Sequence, residues 1–264
     1  MRKRTIPDLG TWKSEGRKIV MITAYDALFS RIFDEAGVDV ILVGDSLGQV
    51  VLGYPDTLNV TMDDMVRHTA AAARGRSQSV LVADMPFLSY QTGAPDAIRN
   101  AGRLLQAGAE AVKLEGGRNM ERVIRAIASC DIPVMAHIGL TPQSVHRMGG
   151  YRVQGKTGSQ RERLLDDAAA VQEAGAFSVV LEGIPSSLAE EITRRLSIPT
   201  IGIGAGPGCD GQVLVMQDLL GLFDEFRPKF VKRFGELRGP VADAVSAYAA
   251  AVRDGSFPDA DHSF

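Results

Sequence analysis

The chain repeats one unit: a short apolar run of aliphatic and β-branched residues, then a longer stretch with helical spacing, then another apolar run. The runs fall at 19–25, 40–45, 80–84, 111–115, 134–138, 178–182 and 200–204, with a weaker eighth at 212–215. Helical stretches fall at 27–36, 62–74, 95–106, 120–128, 161–174, 188–196 and 241–254. Continuous apolar strands bounded by Gly and Pro suit parallel strands covered on both faces. Helices between them supply the crossovers that parallel strands require. Thr61 followed by Asp64 predicts a capped helix start, and Pro95 suits a first helical turn.

An internal echo supports this reading. Ala36-Gly37, Ala107-Gly108 and Ala174-Gly175 each close a helical stretch, and each is followed by a strand that ends on an acid. Gly at that point tolerates the left-handed conformation that terminates a helix. Ile132-Pro133 and Ile198-Pro199 introduce two further strands, because proline blocks helix continuation and favours extended backbone before it. The repeat length is too irregular for a solenoid.

Both an eight-stranded closed barrel and an open doubly wound sheet satisfy the alternation. The strand count and the length of 264 residues favour an α/β fold of the (β/α)8 TIM-barrel class, with 1–264 as a single domain. No G-x-G-x-x-G follows the first strand, which weakens a dinucleotide fold. Gly202, Gly204 and Gly206 follow the seventh strand, where barrels often bind phosphate; a plain glycine-rich turn is the alternative.

Bulk properties exclude other classes. With 45% hydrophobic and 23% charged residues and a net charge of -3, nothing points to nucleic acid or to a membrane surface. No run approaches the ~18 apolar residues of a membrane span. The basic Arg2, Lys3 and Arg4 lead into no apolar segment, so no secretory signal is expected. Cys130 and Cys209 fit neither a disulfide framework nor a zinc site, and a reducing cytoplasm is the expected compartment.

The chemistry of such a barrel sits at the C-terminal ends of its strands. Those ends carry Asp45, Asp84, Glu115, His137 and Glu182. Alternation along the fourth strand puts Lys113 and Glu115 on the inward face, opposite Val112 and Leu114. A buried lysine is costly unless paired, and the acids nearby would pair it. Asp45, Asp84 and Glu115 lie on three consecutive strands ~4.8 Å apart, close enough to converge on one ion. Oxygen donors without Cys or clustered His suit a hard cation, and Mg²⁺ is expected. Any one of these acids alone would be read as a helix cap or surface ion pair. His68 reads as a surface or packing residue, His146 as a loop contact or solvated, and His262 as part of the chain end. Trp12 and Tyr25 are open between core and lid. The stretch 141–158, with four glycines and His146, Arg147, Arg152 and Lys156, reads as a structureless loop: a lid or substrate contact, or a surface or subunit contact. The stretch 47–60 invites the same reading.

Longer strings carry a resemblance. ITAYD at 22–26, LVGDSLG at 42–48, LVADMPF at 81–87, VKLEGG at 112–117, GLTPQSV at 139–145, GGYRVQG at 149–155, IGIGAG at 201–206 and DGQVLVMQD at 210–218 resemble the ketopantoate hydroxymethyltransferases, as does the closing HSF. The resemblance spans nearly the whole chain. It implies transfer of a one-carbon unit from 5,10-methylenetetrahydrofolate to the 2-oxo acid 3-methyl-2-oxobutanoate, giving 2-dehydropantoate. It further implies that Asp45, Asp84 and Glu115 bind Mg²⁺ and that Asp45, Ser46, Asp84 and Lys113 hold the 2-oxo acid. Glu182 matches the proton acceptor, and His137 an active-site histidine counted with the substrate-binding positions. A homo-oligomer, a decamer in the bacterial members, is implied as well. Which residues hold the folate is left open.

Two rivals remain. A Mg²⁺-dependent lyase or mutase of the phosphoenolpyruvate mutase and isocitrate lyase type would also place carboxylates on barrel strands. It usually carries a catalytic Cys in a K-K-C-G-H-type loop, which is absent here. A non-catalytic carboxylate-binding barrel is the second rival, against which an interior lysine argues.

Overall fold

The structure, a computed structural model, describes residues 2–224 and 228–264. It falls into two compact units, Met1–Val215 and Met216–Phe264. In the first unit the chain runs through α1 (Ile6–Ser14), β1 (Ile19–Thr23), α2 (Ala27–Glu35), β2 (Val40–Val43), α3 (Leu47–Val50), α4 (Met62–Gly75) and β3 (Val80–Asp84). It continues with α5 (Ala94–Gln106), β4 (Ala111–Glu115), α6 (Glu121–Ala128), β5 (Val134–Gly139), α7 (Val145–Met148), α8 (Gly158–Glu173), β6 (Ser178–Glu182), α9 (Ser186–Arg195), β7 (Thr200–Ile203) and β8 (Gly211–Leu214).

The eight strands form a closed barrel in sequence order, and β1 pairs with β8 in parallel to close it. Closure removes the exposed edges that an open sheet leaves. Every expected strand is present, with ends shifted by at most two residues. Alternate residues of the strands fill the interior: Ile19, Met21, Val40, Leu42, Val80, Val82, Ala111, Met135, Val180, Ile201 and Val213 form one cluster. Leu9 and Trp12 of α1 join that cluster, so α1 plugs the end of the barrel where the strands begin. Arg17 stacks on Trp12 at 3.7 Å, which covers the outer face of the plug. Trp12 is thus a core residue. The sequence hid this helix because a nine-residue helix that buries only Leu9 and Trp12 has no long apolar stripe.

The helices begin where the caps dictate. The Asp26 side chain accepts from the Phe29 N–H at the start of α2, and Thr61 with Asp64 forms the expected capping box on α4. α8 starts three residues earlier than its apolar spacing suggests, because Thr157 caps it through the Gln160 N–H.

Asp34, at the end of α2, holds the approach to β3. It accepts hydrogen bonds from the N–H and hydroxyl groups of Ser77 and Ser79 and from the Gln78 N–H, at 2.6–3.1 Å. Burial pushes its pKa up, but the Ser79 and Ser77 hydrogen bonds outweigh that and hold the carboxyl well below the ordinary aspartate value. Asp34→Ala would strand several buried donors and is expected to cost about 3 kcal/mol, read as a lowered unfolding midpoint in urea. Because the folded-state pKa is depressed, this stabilisation is complete above the unfolded aspartate pKa of ~4 and fades as pH falls toward the folded value. The wild-type and Asp34→Ala stabilities should therefore converge in acid; a pH-independent gap would count against the assignment.

The stretch 141–158 is not structureless. A 3₁₀ turn, Pro142–Ser144, runs into α7, and Gly149 ends α7 in the left-handed conformation. Pro142 supplies the fixed φ of a helical start, and the turn closes through the Ser144 N–H on the Thr141 carbonyl. The stretch after β2 likewise contains α3.

The second unit carries α10 (Met216–Leu219), α11 (Arg238–Asp254) and a 3₁₀ turn, Ala260–His262. No residue of α11 is buried, and Val241, Val245, Tyr248 and Val252 make an exposed apolar stripe along it. His262 packs against Asp259 at 2.6 Å. Among the described residues no helix is long and apolar enough to cross a membrane.

Candidate functional site

Strand register assembles the site. Asp84 is the direct partner of Lys113 across β3 and β4, Glu115 is the partner of His137 across β4 and β5, and Gly139 is the partner of Glu182 across β5 and β6. Two-residue alternation then sends Lys113, Glu115, His137 and Glu182 to the barrel side and leaves Val112, Leu114, Val179 and Leu181 to the helices. Asp45 lies just past β2, where its backbone N–H donates to Asp84 Oδ2 at 2.9 Å. Gly44 permits this turn: a Cβ there would meet Ser46 Oγ at 2.8 Å.

All seven expected residues come together at the strand ends. Lys113 Nζ lies 2.7 Å from Asp84 Oδ1, and both side chains are buried. Lys113 Nζ is also 3.4 Å from His137 Nδ1, while His137 Nε2 lies 3.2 Å from Glu182 Oε2. Glu115 Oε1 is 3.6 Å from His137 Nδ1, too far for a hydrogen bond. Ser46 Oγ shares a hydrogen bond of 2.9 Å with the Tyr25 hydroxyl. Tyr25 is therefore a buried wall of the site. His68 Nδ1 meets the Tyr25 carbonyl at 2.7 Å from outside, a packing role.

The charge balance of the cluster is uneven. Asp45, Asp84, Glu115 and Glu182 face Lys113, and all but Glu182 are buried. Burial, then the charge of Asp84, pushes the Asp45 carboxyl up to about 7. Burial, then Asp45, raises Glu115 well above the ordinary glutamate value. Burial alone would depress Lys113, but Asp84, Asp45 and Glu115 outweigh it and hold the ammonium firmly charged. Burial and the neighbouring Lys113 lower the pKa of His137, favouring the neutral ring. A lysine ammonium has no lone pair, so Nδ1 accepts from Lys113 and the ring proton sits on Nε2, facing Glu182.

These acids have more oxygens than the one ammonium can satisfy, and that surplus fits a hard cation. Among the described residues no group of three or more His, Cys, Asp or Glu side chains is arranged to hold a metal ion by itself.

Two further residues belong to the site: Tyr90, which no motif marked, and Gln143, which lies in the GLTPQSV string but was assigned no role. Gln143 sits at the centre: its N–H donates to Glu115 Oε2 at 3.0 Å and its Nε2 to Asp45 Oδ2 at 2.8 Å. The Tyr90 hydroxyl donates to Gln143 Oε1 at 2.7 Å. An amide and a phenol carry no charge and no periodicity, so only the GLTPQSV string and the position of Gln143 just after the fifth strand pointed to it. Gly139 sets the end of β5: its φ is 99°, and a Cβ there would lie 2.3 Å from the Glu182 carbonyl oxygen. The next N–H, of Leu140, donates to that same carbonyl at 2.8 Å and so pins Glu182 to β5. Cys209 is buried just before β8 begins, at the opposite end of the barrel, and Cys130 is exposed. Neither belongs to the site.

Comparison with known proteins places this arrangement. Over its whole length the chain is 63% identical to a 3-methyl-2-oxobutanoate hydroxymethyltransferase of Pelobacter propionicus, of which it covers 98%. It is 62% identical to one of Geobacter metallireducens, again over the whole chain and 99% of that relative. Among solved structures it resembles a phosphonopyruvate hydrolase at a TM-score of 0.63 and 15% identity, covering 99% of this chain and 93% of that one. It also resembles a phosphoenolpyruvate phosphomutase of Streptomyces platensis, at a TM-score of 0.64 and 15% identity over 96% and 88% of the two chains. At that identity the likeness shows a shared barrel and nothing more. A model of the ketopantoate hydroxymethyltransferase family matches residues 3–260, and with relatives this similar over their full length the chain belongs to that family.

Proposed function

We propose that this chain transfers a hydroxymethyl unit from 5,10-methylenetetrahydrofolate to 3-methyl-2-oxobutanoate, giving 2-dehydropantoate. The observation that carries the reading is a buried acid–lysine–acid cluster at the open strand ends of a barrel, in a chain of this family. Asp45, Asp84 and Glu115 would hold Mg²⁺, directly or through water, with the 2-oxo acid completing the coordination. When bound, the ion supplies Lewis-acid polarisation of the ketone.

The chain's own residues do the rest. Ser46, Asp84 and Lys113 orient the 2-oxo acid, and Lys113 keeps a fixed positive charge where negative charge develops on its oxygen. His137, neutral and with its proton on Nε2, faces the Glu182 carboxylate at 3.2 Å. Glu182 then takes the proton from carbon three. Carbon three bonds to the methylene as its bond to one folate nitrogen breaks. Water then displaces the second folate nitrogen, its oxygen becoming the new hydroxyl, and the carbon-three proton and one proton of the water end on the two nitrogens. Burial of the cluster excludes bulk water, which strengthens each of these interactions.

The homo-oligomer belongs to the same proposal. The apolar stripe Val241, Val245, Tyr248 and Val252 on α11 supports it, since spacings of four, three and four residues line one helix face. A decamer rests on the family resemblance.

One assay tests the function. The protein is incubated with 3-methyl-2-oxobutanoate, methylenetetrahydrofolate and Mg²⁺, and 2-dehydropantoate is followed by mass spectrometry. Product is expected with all three present, and none when the folate is omitted or the metal is chelated. Cleavage of a 2-oxo acid without folate would point to the lyase chemistry instead, and tight binding without turnover to a non-catalytic barrel.

A further inference from the structure

We infer that Gln143 is a positioning residue of the acidic cluster: by holding one oxygen of Asp45 and one of Glu115, it sets the spacing at which those acids share a divalent cation. The inference rests on the metal reading proposed above.

Gln143 spans the two acids with two different parts of itself. Its backbone N–H takes Glu115 Oε2 at 3.0 Å, and its Nε2 takes Asp45 Oδ2 at 2.8 Å. The second Nε2 proton goes to the Met85 carbonyl at 3.0 Å, one residue past Asp84. Its Oε1 accepts from the Tyr90 hydroxyl at 2.7 Å and from Gln91 Nε2 at 3.4 Å. The direction of the amide is fixed, because a flipped amide would set its oxygen against both a carboxylate and a carbonyl. Tyr90 is fixed in turn: it receives the Glu115 backbone N–H at 3.1 Å. The result is a closed ring of hydrogen bonds, Glu115 to Tyr90 to Gln143 and back to Glu115, with an arm reaching Asp45. All of these groups are buried.

Chemistry explains why an amide stands there. Two carboxylates that flank a cation repel each other before it arrives. A lysine between them would hold them but compete with the cation. A glutamate would add to the repulsion. A neutral donor restrains one oxygen of each acid and leaves the second oxygen of each to the ion and substrate. The short 3₁₀ turn Pro142–Ser144 makes this possible by presenting the N–H and the side chain of one residue to two different strands.

The test is a Mn²⁺ titration followed by electron paramagnetic resonance, with 3-methyl-2-oxobutanoate present, on the full-length wild type, Gln143→Met and Tyr90→Phe. Gln143→Met keeps the length and removes the donors; its Mn²⁺ affinity is expected to fall roughly 10–100-fold. Tyr90→Phe removes one hydroxyl from the ring and is expected to weaken Mn²⁺ by roughly 3–10-fold. In turnover, the Mg²⁺ concentration for half-maximal rate should rise in parallel while kcat at saturating Mg²⁺ recovers toward wild type. A general folding defect would instead lower kcat at every Mg²⁺ concentration, and that result would overturn the inference. Wild-type Mn²⁺ affinity in a folded Gln143→Met would overturn it too. If Gln143→Met does not fold, Tyr90→Phe decides alone, and unchanged affinity there overturns it. If the wild type binds no Mn²⁺, the metal reading itself fails and the inference falls with it, an outcome distinct from the others.

Discussion

Glu182→Gln is expected to lower kcat about 1,000-fold, within the range a positioned general base contributes, while binding of the 2-oxo acid changes little. The substitution keeps the shape of the side chain and removes its ability to accept a proton. The residue is separated from Asp45, Asp84 and Glu115 by His137, whose Nε2 lies 3.2 Å from Glu182 Oε2. It can therefore serve as a base without being spent as a ligand. The most direct measurement is exchange of the carbon-three proton of 3-methyl-2-oxobutanoate with D₂O, followed by NMR without the folate. Exchange should all but cease in Glu182→Gln. If it continued at the wild-type rate, the proton would be leaving to another group and the assignment would be lost.

Lys113→Met should produce the second large effect, in two readouts with different signs. Its ammonium, 2.7 Å from Asp84 Oδ1, balances a cluster that otherwise holds only acids. Removing a single charged stabiliser of developing negative charge is expected to lower kcat/KM by roughly 100–1,000-fold. Breaking a buried ion pair also leaves an uncompensated charge, and a loss of about 3 kcal/mol or more in the metal-free protein follows. The acids then repel one another more strongly, so a bound cation should restore more stability than it does in the wild type. Thermal unfolding with chelator and with Mg²⁺ separates the two. The midpoint of Lys113→Met should be lower than wild type in chelator, and its rise on adding Mg²⁺ should be larger. Equal rises in both proteins would mean that Lys113 and the cation do not act on the same acids.

Much of this protein was legible from its residues because a parallel barrel strand is covered on both faces. Such strands read as continuous apolar runs, and an acid or lysine that interrupts one is conspicuous. Lys113 stood out for that reason, and alternation along the strand correctly sent it inward with Glu115. The helix start at Thr61 was similarly local, since a cap is made by residues three apart. What failed was whatever had no local signature. The helix α1 buries only two side chains, so its apolar stripe is too thin to see, and 141–158 hid a 3₁₀ turn and α7 behind glycines and polar residues.

The sequence by itself determined the alternating strands and helices that favour a barrel, the identity of the charged groups at the strand ends and the face on which they lie, because period-two alternation and apolar continuity are properties of a single strand. Only the tertiary structure decided how those groups are paired. Register between neighbouring strands put Asp84 opposite Lys113 and Glu115 opposite His137, and closure brought the loop after β5 over β2 so that Gln143 could reach Asp45. These partners are 22 to 98 residues apart in the chain, and their contacts are dictated by distances that no local pattern encodes.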